Sequence, residues 1–172
     1  MNTRLAAVML LAGAGAMGAC QKKAPEELPP PPATVEAPPS TVAPATPQGP
    51  QPGSQQHFVN AVNGQNVIYF DTDTYNIDSA DAAALQAQAQ YLMQYSSLRI
   101  TIEGHCDERG TREYNLALGE RRANAAKNFL VGLGIDASRI TTVSYGKERP
   151  AALGSNESSW AQNRRAVSVV IG

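Results

Sequence analysis

The sequence predicts an α+β sandwich, a mixed four-stranded sheet with helices packed on one face. Three observations predict it. Four short segments (66–70, 98–103, 140–145 and 166–171) are rich in β-branched, aromatic and leucine residues. Two long segments lying between the first three strands carry apolar residues at three- and four-residue steps. The order β-α-β-α-β closes on a final strand, which calls for a mixed sheet rather than an all-parallel one.

Each element has its own warrant. Residues 66–70 form an apolar run ending in Phe70, read as a buried strand, and the polar corner Asp71, Thr72, Asp73, Thr74, Tyr75 stops it. Asp78 is placed to cap a helix, with Asp81 three residues on. Leu85, Ala89 and Leu92 give that helix one apolar stripe, and it runs to about Tyr95. In the second strand Leu98, Ile100 and Ile102 face one side and Arg99, Thr101 and Glu103 the other. The second helix is expected from about Arg112 to Leu133, with Leu116, Ala123, Ala126, Leu130 and Leu133 toward the core and Gly132 and Gly134 ending it. Ile140 to Tyr145 is the third strand. A short helix carrying Trp160 follows, and Val167, Val169 and Ile171 alternate along the last strand.

With 172 residues there is room for one ordinary domain plus extensions, and composition locates the extensions. Eleven of the twelve prolines lie between Pro25 and Pro52, where large apolar residues are almost absent. Prolines at this density favour extended polyproline II and prevent helix or sheet, so residues 20–57 read as a tether. Residues 58–172 are a normal globular mixture with eleven Lys and Arg against twelve Asp and Glu. No basic face for nucleic acid stands out. The expected ligand is small and charged in both senses, or a protein.

Residues 1–19 have the form of a secretory signal, with Arg4 ahead of a short apolar run from Leu5 to Ala12 and then small residues. The run is too short to span a bilayer as a helix. Met17, Gly18, Ala19 and Cys20 resemble a bacterial lipobox, which implies acylation of Cys20; Gln21 in the next position implies sorting to the outer membrane. Several acyl chains on one residue hold a protein to a bilayer far better than one does. Cys106 is then left without a partner in the chain and is read as a small packed residue.

The corner after the second strand carries the chemistry. Asn115 and Arg122 are seven residues apart and so lie within about 20° of each other on a helix. Asp107 sits on the loop feeding that helix, and Asp73 on the matching corner after the first strand. Two carboxylates, an amide and a guanidinium at one sheet end suit an ammonium and a carboxylate together, the zwitterionic end of an amino acid. The same residues also fit a plainer role, with acidic residues as helix caps and Asp107 in a structural ion pair with Arg122. His57 and His105 lack the neighbours of a metal site, and no cofactor is expected.

Gly104, His105, Asp107, Glu108, Arg109, Gly110, Thr111, Asn115, Gly119, Arg121, Arg122 and Asn124 closely resemble the OmpA-like peptidoglycan-binding domain, and most closely its lipoprotein branch. Val143 to Pro150 and Asn163 to Val167 resemble later motifs of the same family. The resemblance implies the OmpA-like β-α-β-α-β-β fold and a ligand in the diaminopimelate of the peptidoglycan stem peptide. It puts the paired recognition residues at Asp107 and Arg122, with Asp73 and Asn115 as further pocket positions. It also implies a Tol-system periplasmic β-propeller protein as partner on the same loop face. On this reading Arg109, Arg112 and Arg121 solvate the rim or pair with Glu108, Glu113 and Glu120, while Arg164 and Arg165 tie the last strand to the sheet end.

The function these readings imply is a non-enzymatic outer-membrane lipoprotein, its domain in the periplasm, joining the membrane to the wall in a Tol-type system for envelope integrity and division. The alternative is a wall hydrolase using Asp73 and Asp107 as an acid/base pair, which requires one carboxyl with a raised pKa. Alanine at Asp107 or Arg122 is expected to abolish wall binding and leave the fold intact.

Overall fold

The computed structural model describes residues 49–171. The signal, Cys20 and most of the proline-rich stretch lie outside the described residues. The elements are helix α1 (Gln55–Ala61), strand β1 (Val67–Tyr69), helix α2 (Ser79–Gln94), strand β2 (Arg99–His105), helix α3 (Arg112–Gly132), a 3-10 turn (Ala137–Arg139), strand β3 (Ile140–Gly146), helix α4 (Glu157–Asn163) and strand β4 (Arg165–Ile171). The sheet order is β1-β4-β2-β3, with β4 antiparallel to both neighbours and β2 parallel to β3. This is the expected mixed four-stranded α+β sheet. Because β4 lies between β1 and β2 and opposes both, those two strands run the same way and end at the same edge of the sheet.

Helix ends follow local chemistry. Asp78 accepts from the Asp81 N–H at 2.7 Å, as its position predicts, and Thr111 accepts from Tyr114 N–H at 3.2 Å to start α3. At the far end of α3, Gly134 takes φ +98 and donates to Val131 O, while Ile135 donates to Leu130 O. These two bonds satisfy carbonyls that the helix leaves open, and the backbone angle is one that glycine adopts without strain.

The core lies between one sheet face and α1, α2 and α3. Phe58, Ile68, Leu85, Leu92, Ile100, Ile102, Ala123 and Leu130 are each at most 2% exposed. Burying one of the larger of these side chains contributes on the order of 1.5–3 kcal/mol.

Several details differ from the sequence reading. Gln55, Gln56 and His57 were expected in the tether but belong to α1, which Ser54 caps and which sends Phe58 into the core. The Gln55 side chain also closes an open edge of β4, bonding Ser168 O and Val170 N–H. β1 is an edge strand with Tyr69 half exposed, not one buried on both faces. On β4 the helix-facing residues are Ala166, Ser168 and Val170, while Val167, Val169 and Ile171 face away from the helices. An inward serine is tolerable because its Oγ donates to the buried Gln88 amide oxygen at 2.7 Å, and Gln88 in turn donates to Gln65 O. On α3 Leu116 is only half buried; Asn115, Leu118, Gly119 and Arg122 are buried instead.

His105, at the end of β2, is 2% exposed beside the Tyr145 ring, and neither ring nitrogen has a hydrogen-bond partner. Burial, aided by the charges of Arg165 and Arg149, pushes the imidazole down to about 4. The Glu103 carboxylate, 3.6 Å away, is too far to bond and does not reverse this. The folded protein therefore resists a proton that the unfolded chain takes up near pH 6.5, so stability falls as pH drops from about 6.5 to 4. We expect a loss on the order of 2–3 kcal/mol across that window. Urea unfolding of His105→Phe should show a clearly flatter pH dependence there.

Candidate functional site

Two corners build the site. One follows β1 and runs from Phe70 to Asp78; the other follows β2 and runs from Cys106 to Thr111, where α3 begins. Both lie at the end of the sheet where β1 and β2 finish. All four residues singled out by spacing, Asp73, Asp107, Asn115 and Arg122, line one cavity of about 260 Å³ between these corners. Thr72, Cys106, Arg109 and Tyr114 line it with them. A larger cleft of about 570 Å³ lies across the 71–74 corner, lined by Tyr69, Asp78 and Asp81 among others, but it gathers none of the four.

Arg122 is the joint between the corners. It is 0% exposed, and Nε donates to Thr74 O at 2.9 Å, Nη1 to His105 O at 2.9 Å and Nη2 to Asp71 O at 3.0 Å. Its guanidinium also lies 5.1 Å from the Phe70 ring centre. Burial pushes its pKa down, yet an arginine in a cage of carbonyls keeps its charge. The structural ion pair between Arg122 and Asp107 that the plainer reading offered is not formed. Arg122 presents positive potential to the cavity while most of its donors hold the walls together, so its removal is expected to loosen the fold as well as the site, contrary to the sequence expectation.

Asp107 is instead held by two other arginines. Arg109 Nε bonds Oδ1 at 3.1 Å, Arg109 Nη2 bonds Oδ2 at 2.6 Å, and the Arg109 backbone N–H adds a bond to Oδ1 at 3.1 Å. Arg164 Nη1 lies 3.5 Å from Oδ2. Burial alone pushes the Asp107 carboxyl up, but the bonds and charge of Arg109, with Arg164, outweigh it and hold the group below the usual carboxylate range. Sequence reasoning put Arg109 with Glu108, Glu113 or Glu120; it pairs instead with Asp107, two residues back on the same loop, and lies over the Trp160 ring. Arg112 pairs with Glu148 at 3.3 Å.

Asn115 is 3% exposed and uses both amide hydrogens on the loop, donating to Arg109 O at 2.6 Å and Thr111 O at 3.0 Å. What it has left for a ligand is a carbonyl oxygen, an acceptor suited to an ammonium. Asp73 has φ +60, a conformation Asp tolerates, and its carboxylate accepts from the Tyr114 hydroxyl. Cys106 is buried, its thiol donating to Asn115 O at 3.3 Å, and burial pushes its pKa up. It is a packed residue, as expected.

The residues that sequence reasoning missed are Arg164, Trp160 and Tyr114. Arg164 is 5% exposed; it donates to Phe70 O and Glu157 and reaches Asp107 across the chain. Its expected role of tying the last strand to the sheet end holds, through its bond to Phe70 O. Trp160 lies under the Arg109 guanidinium at 4.2 Å and donates to Glu108 Oε1 at 3.0 Å. The pairing of β4 with both β1 and β2 brings Arg164 and Trp160 to the corners, while Tyr114 comes from the first turn of α3. Among the described residues there is no group of three or more His, Cys, Asp or Glu side chains fit for a metal, and no helix is long and apolar enough to cross a membrane.

The OmpA family profile matches residues 69–164. The peptidoglycan-associated lipoprotein of Agrobacterium fabrum is 55% identical over 121 residues, covering 70% of this chain and 67% of that protein. The protein of the same name from Haemophilus influenzae is 49% identical over 102 residues, covering 59% of this chain and 67% of its own. The crystal structure of the peptidoglycan-associated lipoprotein from Burkholderia pseudomallei superposes with a TM-score of 0.63 at 46% identity, covering 66% of this chain and 99% of that one.

Proposed function

The chain belongs to the OmpA family, and from that premise we propose that it is a lipoprotein tying the outer membrane to peptidoglycan without cutting it. On this reading residues 1–19 are a signal peptide, Cys20 carries the lipid, and the proline-rich stretch is a leash to the domain. Asp73, Asp107, Asn115 and Arg122 grip the diaminopimelate of a stem peptide. Its names-in-common relatives are peptidoglycan-associated lipoproteins, which supports the ligand class. A Tol–Pal-type role in envelope integrity and division, with a Tol-system β-propeller protein as partner, belongs to the same proposal.

The observation that carries it is the cavity of mixed charge. Acceptors from Asp73, Asp107 and Asn115 face the space on which Arg122 also borders. They suit an ammonium, and the positive potential of Arg122 suits an adjoining carboxylate. The hydrolytic reading asks for a carboxyl with a raised pKa, and Asp107 is shifted the opposite way.

Incubation with purified sacculi tests it. The full chain should co-sediment with them and release no soluble fragments, and Asp107→Asn should reduce binding at least about tenfold, the loss expected for one charge-assisted contact. Release of wall fragments, or undiminished binding by Asp107→Asn, would overturn the proposal. For the anchor, Cys20→Ser should move the protein from the outer-membrane to the soluble periplasmic fraction; unchanged membrane fractionation would refute lipidation at that residue.

A further inference from the structure

We propose that Arg109 sets the specificity of this cavity: it is an internal cation that a ligand's ammonium replaces on Asp107, and once displaced it binds the ligand's own carboxylate. The inference rests on the function proposed above and adds the residue that selects among amines.

Both Asp107 oxygens are already bonded in the free molecule, Oδ1 by Arg109 Nε and backbone N–H and Oδ2 by Arg109 Nη2. Three of this carboxylate's about four acceptor positions are taken by Arg109, and Arg164 stands 3.5 Å from Oδ2, so an arriving ammonium gains the full ion pair only by exchanging for a cation. Of the two guanidinium groups on Asp107, only one is free to move. The Arg164 side chain is 6% exposed and is fixed by bonds to Phe70 O and Glu157. The Arg109 side chain is 39% exposed. Its remaining contacts are a long bond to the Thr72 hydroxyl at 3.3 Å and the Trp160 face at 4.2 Å.

The Trp160 contact decides where Arg109 goes. A guanidinium stacked on an indole keeps that contact while its donors turn in the ring plane. The indole is itself held by its bond to Glu108. Arg109 therefore stays at the rim after release from Asp107, with its fork of donors facing the cavity. A simple amine then leaves that fork unpaired, trading one cation for another with little gain. A ligand with a carboxylate beside its ammonium gives the displaced fork a two-point partner. The exchange selects zwitterionic ends over plain amines.

Calorimetry on the full chain in detergent tests this with two probes, meso-diaminopimelate and 1,5-diaminopentane, its analogue without carboxylates. Wild type should prefer diaminopimelate by at least about tenfold, one two-point charge-assisted contact. Arg109→Met keeps a stem against Trp160 but removes the charge. It should weaken diaminopimelate binding and strengthen diaminopentane binding, so that the preference collapses. A purely structural role for Arg109 would weaken both probes alike. If Arg109→Met retains the wild-type preference, or loses both affinities together, the inference is wrong. Asp107→Asn separates this from the site assignment: loss of diaminopimelate binding there, with the preference intact in Arg109→Met, overturns only the role of Arg109. Unchanged binding in Asp107→Asn overturns the site itself.

Discussion

Gly104→Ala is expected to destabilise the protein by about 3 kcal/mol or more, an overpacking effect at the upper end of its range. A Cβ at this position would sit 1.8 Å from Gly119 O and 2.6 Å from its carbonyl carbon. Both atoms are backbone, so no side-chain rotation relieves the clash; α3 must lift off β2. That helix carries Asn115 and Arg122, so the same shift would open the cavity. Gly119→Ala meets chiefly the Ser144 hydroxyl, at 2.4 Å, which can rotate away at the cost of its bond to Leu116 O. Urea unfolding should therefore rank the variants, with Gly104→Ala well below Gly119→Ala in midpoint. Equal midpoints would mean that the helix–strand approach at Gly104 is not tight.

Much of this architecture was legible in the sequence, for reasons that differ by element. The periodicity of α2 and β2 was clear because each buries one face only: Leu85 and Leu92 on the helix, Ile100 and Ile102 on the strand. β4 was legible as a strand, but not which of its faces turns inward, because it is apolar on both faces. Its outward valines look like the core set, while its inward face holds Ser168, whose partner Gln88 is eighty residues away. α1 was hidden by the prolines before it, although Ser54 ahead of Gln55 is an ordinary start signal. At the site, spacing brought Asn115 and Arg122 to one side of α3, and the parallel course of β1 and β2 brought Asp73 near Asp107. Which arginine would pair with Asp107 was not legible. A long side chain on a tight loop reaches many acceptors, and the choice of Arg109 depends on Trp160 from a distant helix.

Arg122→Ala is expected to cost about 3–5 kcal/mol, by leaving three carbonyls unpaired and opening a large cavity. The residue is fully buried, and its three nitrogens bond Asp71 O, Thr74 O and His105 O. Two of those carbonyls lie in the first corner and the third ends β2 where the second corner begins, so the two corners lose their common tie together. Arg122→Lys should recover little, because one ammonium on a flexible stem cannot meet three acceptors set out for a planar fork. Loss of wall binding in an Arg122 variant cannot distinguish a lost ligand contact from collapsed walls, and urea midpoints must be measured beside it. Asp107→Asn keeps the side chain's size, and its carbonyl oxygen can still accept the Arg109 backbone N–H. It should hold most of the wild-type stability while losing sacculus binding. If Arg122→Ala instead unfolds at the wild-type urea concentration, the buried guanidinium is not the tie described here, and its place in the cavity would be that of a ligand contact alone.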